Sequence, residues 1–180
     1  RNPRLTVSPA LKTQSVLTVS SPAKLPTRAR PLLDLMSPSG VFIVATDPLP
    51  FHLRGNYAPV MQELEEHNLP VEGAIPPELS GLFVRNGANP SGGRSPHWFL
   101  GDGMVHGVRI ENGRAAWYRN RYVKTPSLAD PSTPRISELG VIDHANSKAN
   151  THIIRHAGRI LALEEGSYPY ELNAELDTLG

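Results

Sequence analysis

The sequence predicts an all-β chain of consecutive antiparallel hairpins, and three observations carry that prediction. Long helices have little room, because 18 Pro and 15 Gly are spread through 180 residues and an interior Pro both removes a backbone donor and clashes with the preceding turn. Asn112-Gly113 separates two alternating runs, and a pair that tolerates positive φ at both positions is the strongest short-range hairpin signal. A second couple of short apolar runs, nearer the C-terminal end, repeats the pattern around Ala157-Gly158. Hairpins joined by loops, without crossover helices, argue for a sandwich or a propeller.

Taken in order, the elements begin with a leader. Residues 1–40 carry six Lys or Arg against one acid, Asp34, with ten Ser or Thr and six Pro. That basic, acid-poor composition suits an organelle transit peptide and equally a disordered tail. We expect residues 1–50 to form a disordered leader and residues 51–180 the folded part. The apolar patch Gly40–Thr46 reads as a short strand or buried anchor before the turn Asp47-Pro-Leu-Pro50. Gln62 to Glu66 has room for a brief helix between prolines. Leu82–Arg85 reads as a strand ended by the turn residues Asn86-Gly87 and by Asn89–Gly93. Met104–Ile110 and Ala115–Lys124 flank the Asn-Gly turn. The polar, Pro-containing stretch Pro126–Ala149 reads as a loop crossing between sheets. Thr151–Arg155 and Ile160–Glu164 form the second hairpin, with its turn at His156–Arg159. At about 40–45 residues per propeller blade, the folded part suffices for about three blades, and the abrupt stop at Gly180 reads as a truncation.

Composition excludes several functions. Without Cys there is no disulfide framework, no thiolate metal site and no Cys nucleophile. A net charge of +1 provides no electrostatic footprint for nucleic acid. No apolar run approaches the roughly 20 residues of a membrane-spanning helix. Gly101-Asp102-Gly103 is no dinucleotide fingerprint, since the third glycine position holds His106, and neither a phosphate loop nor a G-x-S-x-G elbow occurs.

Seven histidines remain as candidate metal ligands: His52, His67, His97, His106, His144, His152 and His156. His97, Asp102 and His106 contain the donors of a facial triad, but their spacing across two glycines matches no ligand motif. A tight turn with Asp102 capping backbone N–H groups is the simpler reading. His152 and His156 are spaced as in a zincin helix, yet the intervening Ile153 and Ile154 favour a strand, where the two would stand roughly 13 Å apart.

Five motifs carry the reading further. Gly55–Val60, Leu69–Pro76, Gly81–Pro90, His97–Val108 and Asn120–Thr125 occur in that order, and from about residue 52 onward they resemble the N-terminal part of the carotenoid cleavage oxygenase family, which includes the lignostilbene dioxygenases. The resemblance implies part of a seven-bladed β-propeller whose axis holds a non-haem Fe(II). It implies four iron-binding His beyond Gly180, so none of this chain's histidines is carried over as a ligand and no catalytic residue is expected within it. Glu165 falls where the family has a carboxylate that orients an iron-binding His, with Glu164 the alternative in a register one residue earlier. The implied activity is dioxygenase cleavage of one C=C bond of a carotenoid or apocarotenoid, an apolar polyene, with O₂, to two carbonyl products. The 180-residue chain alone would be inactive.

Other readings stay open: a non-catalytic truncated propeller or binding module, or a stilbene-cleaving dioxygenase. Phenol-cleaving relatives carry a Tyr before the His97-Trp98-Phe99 motif and a Lys near Ser127, and this chain has neither, which favours carotenoid-like substrates. Leu100 also replaces an Asp frequent in relatives. No nucleic-acid partner is expected. Peripheral contact with a membrane is allowed, and the expected location is the cytoplasm or a membrane surface, or the plastid if the leader is a transit peptide.

Overall fold

The computed structural model describes residues 49–180 together with two short strands, 4–7 and 17–20. The described strands are β1 (Arg4–Val7), β2 (Leu17–Ser20), β3 (Glu65–His67), β4 (Val71–Glu72), β5 (Gly81–Asn89), β6 (Asp102–Glu111), β7 (Arg114–Tyr122), β8 (His152–His156), β9 (Arg159–Leu163) and β10 (Tyr170–Leu172). They form three sheets, ordered β2-β1-β4, β3-β7-β6-β5 and β10-β9-β8. Among the described residues, helix is limited to two 3-10 turns, Phe51–Leu53 and Gly55–Tyr57, and one α-turn, α1 (Pro126–Ala129), where Thr125 Oγ1 caps Leu128 N at 3.2 Å. None is long and apolar enough to cross a membrane.

Both expected hairpins are present. The β6–β7 turn has Asn112 at φ 48° and Gly113 at φ 72°, and the β8–β9 turn has Ala157 at φ 49° and Gly158 at φ 82°. Such paired left-handed residues match the right-handed twist of the flanking strands. Pro126–Ala149 crosses from the four-stranded to the three-stranded sheet, as its composition suggested.

Two expectations are corrected. Asn86-Gly87 is no turn: β5 runs on to Asn89 in register with β6, Gly87 opposite Met104. The Asn86 side chain donates to Ala149 O at 2.7 Å and His152 O at 3.2 Å, so it links the two sheets instead of bending the chain. Likewise Gln62–Glu66 is not helical. Its backbone is taken by β7: Glu65 pairs with Arg119, while Asn120 Oδ1 accepts from Leu64 N at 2.7 Å and Asn120 Nδ2 donates to Gln62 O at 2.9 Å. A fully buried Asn thus acts as a strand neighbour for a segment too short to nucleate a helix.

Of the N-terminal leader, two short strands are described. β1 and β2 pair antiparallel and β1 adds parallel to β4. The expected disorder over the rest of residues 1–48, and the strand or anchor expected at Gly40–Thr46, lie outside the described residues.

The four-stranded sheet is covered on both faces. On one, Leu69 and Ile75 pack against Val108, Ile110, Ala115 and Tyr118. On the other, Val105 and Trp117 meet Ala149, Ala162, Leu172 and Leu176 of the three-stranded side. Two glycines permit that approach: a Cβ on Gly103 would collide with the Ala149 carbonyl, and one on Gly107 would lie 2.8 Å from Leu176 Cδ1.

Candidate functional site

A cleft of about 1010 Å³ opens where the segment after Leu49, β5 and the second hairpin converge. Its rim is apolar. Trp98 stacks on Phe51 at 5.2 Å and meets Tyr57 edge-on at 4.7 Å, and Tyr57, Trp98, Phe99 and Leu100 all line the opening. The loop that carries them is pinned at its ends: Asn150 Nδ2 donates to Phe99 O at 2.8 Å and Gly101 O at 2.7 Å, while His52 Nε2 donates to Ser95 O at 3.1 Å. The floor is polar, with Arg85, Asn86, His106, Asn150, Thr151, Glu164 and Glu165.

The two adjacent glutamates behave differently. Glu164 is half-buried and committed to the backbone: Oε2 accepts from Lys148 N at 2.6 Å and Ser147 Oγ at 2.8 Å, and Oε1 from Arg135 at 2.5 Å. Burial alone would raise its pKa, but these donors together outweigh it and hold the carboxyl below the usual range. Glu165 is exposed at the cleft, and the Thr151 hydroxyl donates to its Oε2 at 3.0 Å. Of the two, Glu165 keeps acceptor capacity for another group.

The sequence-derived triad does not assemble. His97 Nδ1 accepts from Phe99 N at 3.2 Å and serves the rim loop. Asp102 is not a turn residue but the first residue of β6; its Oδ2 accepts from Ser91 N at 3.1 Å, the capping role expected, and its Oδ1 from Lys148 Nζ at 2.7 Å. Burial opposes its ionisation, and the Lys148 and Ser91 contacts more than offset that and lower the pKa. His106 Nδ1 lies 2.8 Å from the Tyr118 hydroxyl. His152 and His156 are exposed at opposite ends of β8. Among the described residues, no three His, Asp or Glu groups are placed to hold a metal ion.

Sequence reasoning missed Arg85, His106 as a cleft residue, and Thr151. The first two are brought together only by the β5–β6 register, in which Arg85 faces His106, across a loop whose length hides the pairing. Ser127 is buried and donates to Ser147 O at 3.1 Å.

Residues 57–180 match the family model described as retinal pigment epithelial membrane protein. The carotenoid cleavage oxygenase of Mycobacterium tuberculosis is 46% identical over 138 residues, covering 72% of this chain and 27% of that protein. The carotenoid 9,10(9',10')-cleavage dioxygenase 1 of Arabidopsis thaliana is 36% identical, over 83% of this chain and 34% of its own length. Among solved structures, Pseudomonas brassicacearum lignostilbene dioxygenase superposes with a TM-score of 0.59 at 32% identity, covering 74% of this chain and 31% of that one. Synechocystis apocarotenoid oxygenase does so with a TM-score of 0.56 at 30% identity, over 68% and 29%. The chain therefore spans about a third or less of the length of the relatives it matches.

Proposed function

Because the chain belongs to the carotenoid oxygenase family, its sheets being part of that family's β-propeller, we propose that it forms part of a non-haem iron(II) dioxygenase that cleaves one C=C bond of a carotenoid or apocarotenoid. Both atoms of O₂ are consumed and two carbonyl products form, so the reaction needs no external reductant. In this reading four histidines from the polypeptide beyond Gly180 hold the iron, which supplies O₂ activation when bound. The observation that carries it is the cleft itself, where the Gly55–Val60, Gly81–Pro90 and His97–Val108 motifs converge on one opening with an aromatic rim and a polar floor. Such a mixed lining suits an elongated apolar ligand oriented by a few polar groups. The resemblance implies a Lys near Ser127 in phenol-cleaving members, and its absence here supports polyenes over stilbenes.

Within that reading Glu165 is the carboxylate that hydrogen-bonds an iron-binding imidazole, fixing its tautomer and orientation. Its exposure at the cleft and its support by Thr151 favour it over Glu164, which holds the 147–148 backbone. The test uses the polypeptide extended past Gly180. Glu165→Gln should fold normally and lose iron affinity or turnover by roughly 10- to 100-fold, whereas Glu164→Gln should lower thermal stability first. Equal iron content and oxygen uptake in wild type and both variants would overturn the Glu165 assignment. A folded protein that neither binds iron nor consumes O₂ with any polyene would overturn the enzyme reading. Contact with a membrane surface, and the location that goes with it, belong to the same proposal, to be tested by sedimentation with lipid vesicles.

A further inference from the structure

The two halves of the candidate site, the aromatic rim and Glu165, are tied to one dipeptide, Asn150-Thr151. Asn150 is buried, and both ends of its amide are committed. Nδ2 donates to Phe99 O at 2.8 Å and to Gly101 O at 2.7 Å, while Oδ1 lies 3.3 Å from the Thr151 hydroxyl. The reverse orientation would set the amide oxygen against two carbonyls, so the partners settle which way the group points. Thr151 in turn meets Glu165 Oε2 at 3.0 Å. Its single hydroxyl proton is shared between the two acceptors, with the shorter contact to the carboxylate.

The backbone that presents Asn150 is held from both sides. Ala149 is fully buried at φ 45°, a left-handed conformation that a non-glycine residue keeps only where its surroundings impose it. Its carbonyl accepts from Asn86 and lies against Gly103. The rim loop, by contrast, has little packing of its own: Phe99 is 68% exposed and Leu100 54%. Its placement relative to Glu165 therefore rests heavily on the two bonds from Asn150. The C=C bonds of a conjugated chain are chemically alike, so the one that reacts is the one held at the reacting centre, and a misplacement of about 1 Å is enough to spoil that orientation. Resting on the function proposed above, we infer that Asn150 is a positioning residue that fixes the spacing between the Trp98–Leu100 rim and the Glu165 carboxylate, and so selects which C=C bond is cleaved. Removing its amide leaves Glu165 with its Thr151 donor and frees the rim to shift along the polyene.

The experiment compares wild type, Asn150→Asp, Asn150→Ser and Glu165→Gln of the polypeptide extended past Gly180, acting on one linear conjugated polyene, by iron content, steady-state kinetics and mass analysis of the carbonyl products. Asn150→Asp keeps the shape and loses the two donors; Asn150→Ser is the uncharged second variant that decides if the first does not fold. Wild type should give one pair of products. The Asn150 variants should keep the wild-type iron content, raise KM for the polyene roughly tenfold, the range for losing one or two hydrogen bonds, and add product pairs from neighbouring C=C bonds. Trp98 emission, taken by difference from matched Trp98→Phe proteins, should move to the red as the loop loosens. Glu165→Gln should slow turnover and keep the single product pair, which separates positioning from chemistry. Several product pairs from wild type, the wild-type pair alone from a folded Asn150 variant, or failure of both Asn150 variants to fold overturns the inference and leaves the enzyme reading standing. A wild type that cleaves no polyene overturns the two together.

Discussion

The four-stranded sheet β3-β7-β6-β5 and the three-stranded sheet β10-β9-β8 are built around the same kind of hairpin, yet they are stabilised in different ways. In the first, β6 is buried along nearly its whole length, and only Glu111 at its end is exposed. Glycines stand where neighbours press closest, and Asn side chains replace missing strand partners. In the second, β8 has no fully buried residue and β9 has one, Ala162. The three-stranded sheet leans on the four-stranded one through a few anchors, chiefly Leu172, Leu176 and the Arg119–Glu175 ion pair. The lesson is that one sheet organises the molecule and the other is positioned by it, with the cleft between the polar groups that each contributes.

Four substitutions test whether the second sheet depends on the first. The largest effect is expected at the shared anchor. Leu176 is fully buried against Gly107 and holds a left-handed φ of 71°, a conformation retained only because packing compensates it. Leu176→Ala should cost about 2–5 kcal/mol in denaturant unfolding. A loss below about 1 kcal/mol would mean that the second sheet does not depend on this contact. Gly103→Ala comes next, at about 1–3 kcal/mol or more, because the new methyl meets the Ala149 backbone, which cannot move without displacing Asn150 and Thr151 at the cleft.

The third effect is on pH dependence. His106 has its pKa pushed down to about 3 by burial, with Arg85 contributing. Between that value and the ordinary 6.5 the unfolded chain takes up a proton that the folded chain refuses, so stability falls as the solution is acidified through this window. The slope should approach about 1.4 kcal/mol per pH unit, joined in the lower part of the window by Glu164 and Asp102, whose lowered pKa values withdraw their stabilisation as the pH falls below their ordinary values of 4.5 and 3.8. Chemical unfolding from pH 7 to 4 in wild type and His106→Gln checks it, since the variant should lose that component. The smallest effect lies in the second hairpin. Ala157 sits at φ 49° where the first hairpin has Asn, so Ala157→Asn should stabilise by about 0.5–1 kcal/mol. The same gain measured at Asn112→Ala would invert the comparison.

Local chemistry made much of this legible in advance. Asn112-Gly113 and Ala157-Gly158 marked both hairpins because turn geometry depends on residues adjacent in the chain. The five motifs identified the family, whereas the α-turn Pro126–Ala129, capped by Thr125, falls in a stretch whose composition indicates only a loop. The errors were of another kind. Asn86-Gly87 carries turn residues but stays in the strand because its amide has partners on the other sheet, and Glu65–His67 is a strand because β7 offers it a ladder.

Composition and short-range pattern thus determined the all-β class, both hairpins, the absence of thiol chemistry and the family. It took the folded chain to show that Glu164 holds the 147–148 segment while Glu165 takes a single bond from Thr151, that Asp102 pairs with Lys148, and that Arg85 lies beside His106. The reason is physical. Turn and strand preferences are set by sterics within a few residues, whereas the role of a carboxylate or an imidazole depends on burial and on partners brought from distant parts of the chain, which no local pattern records.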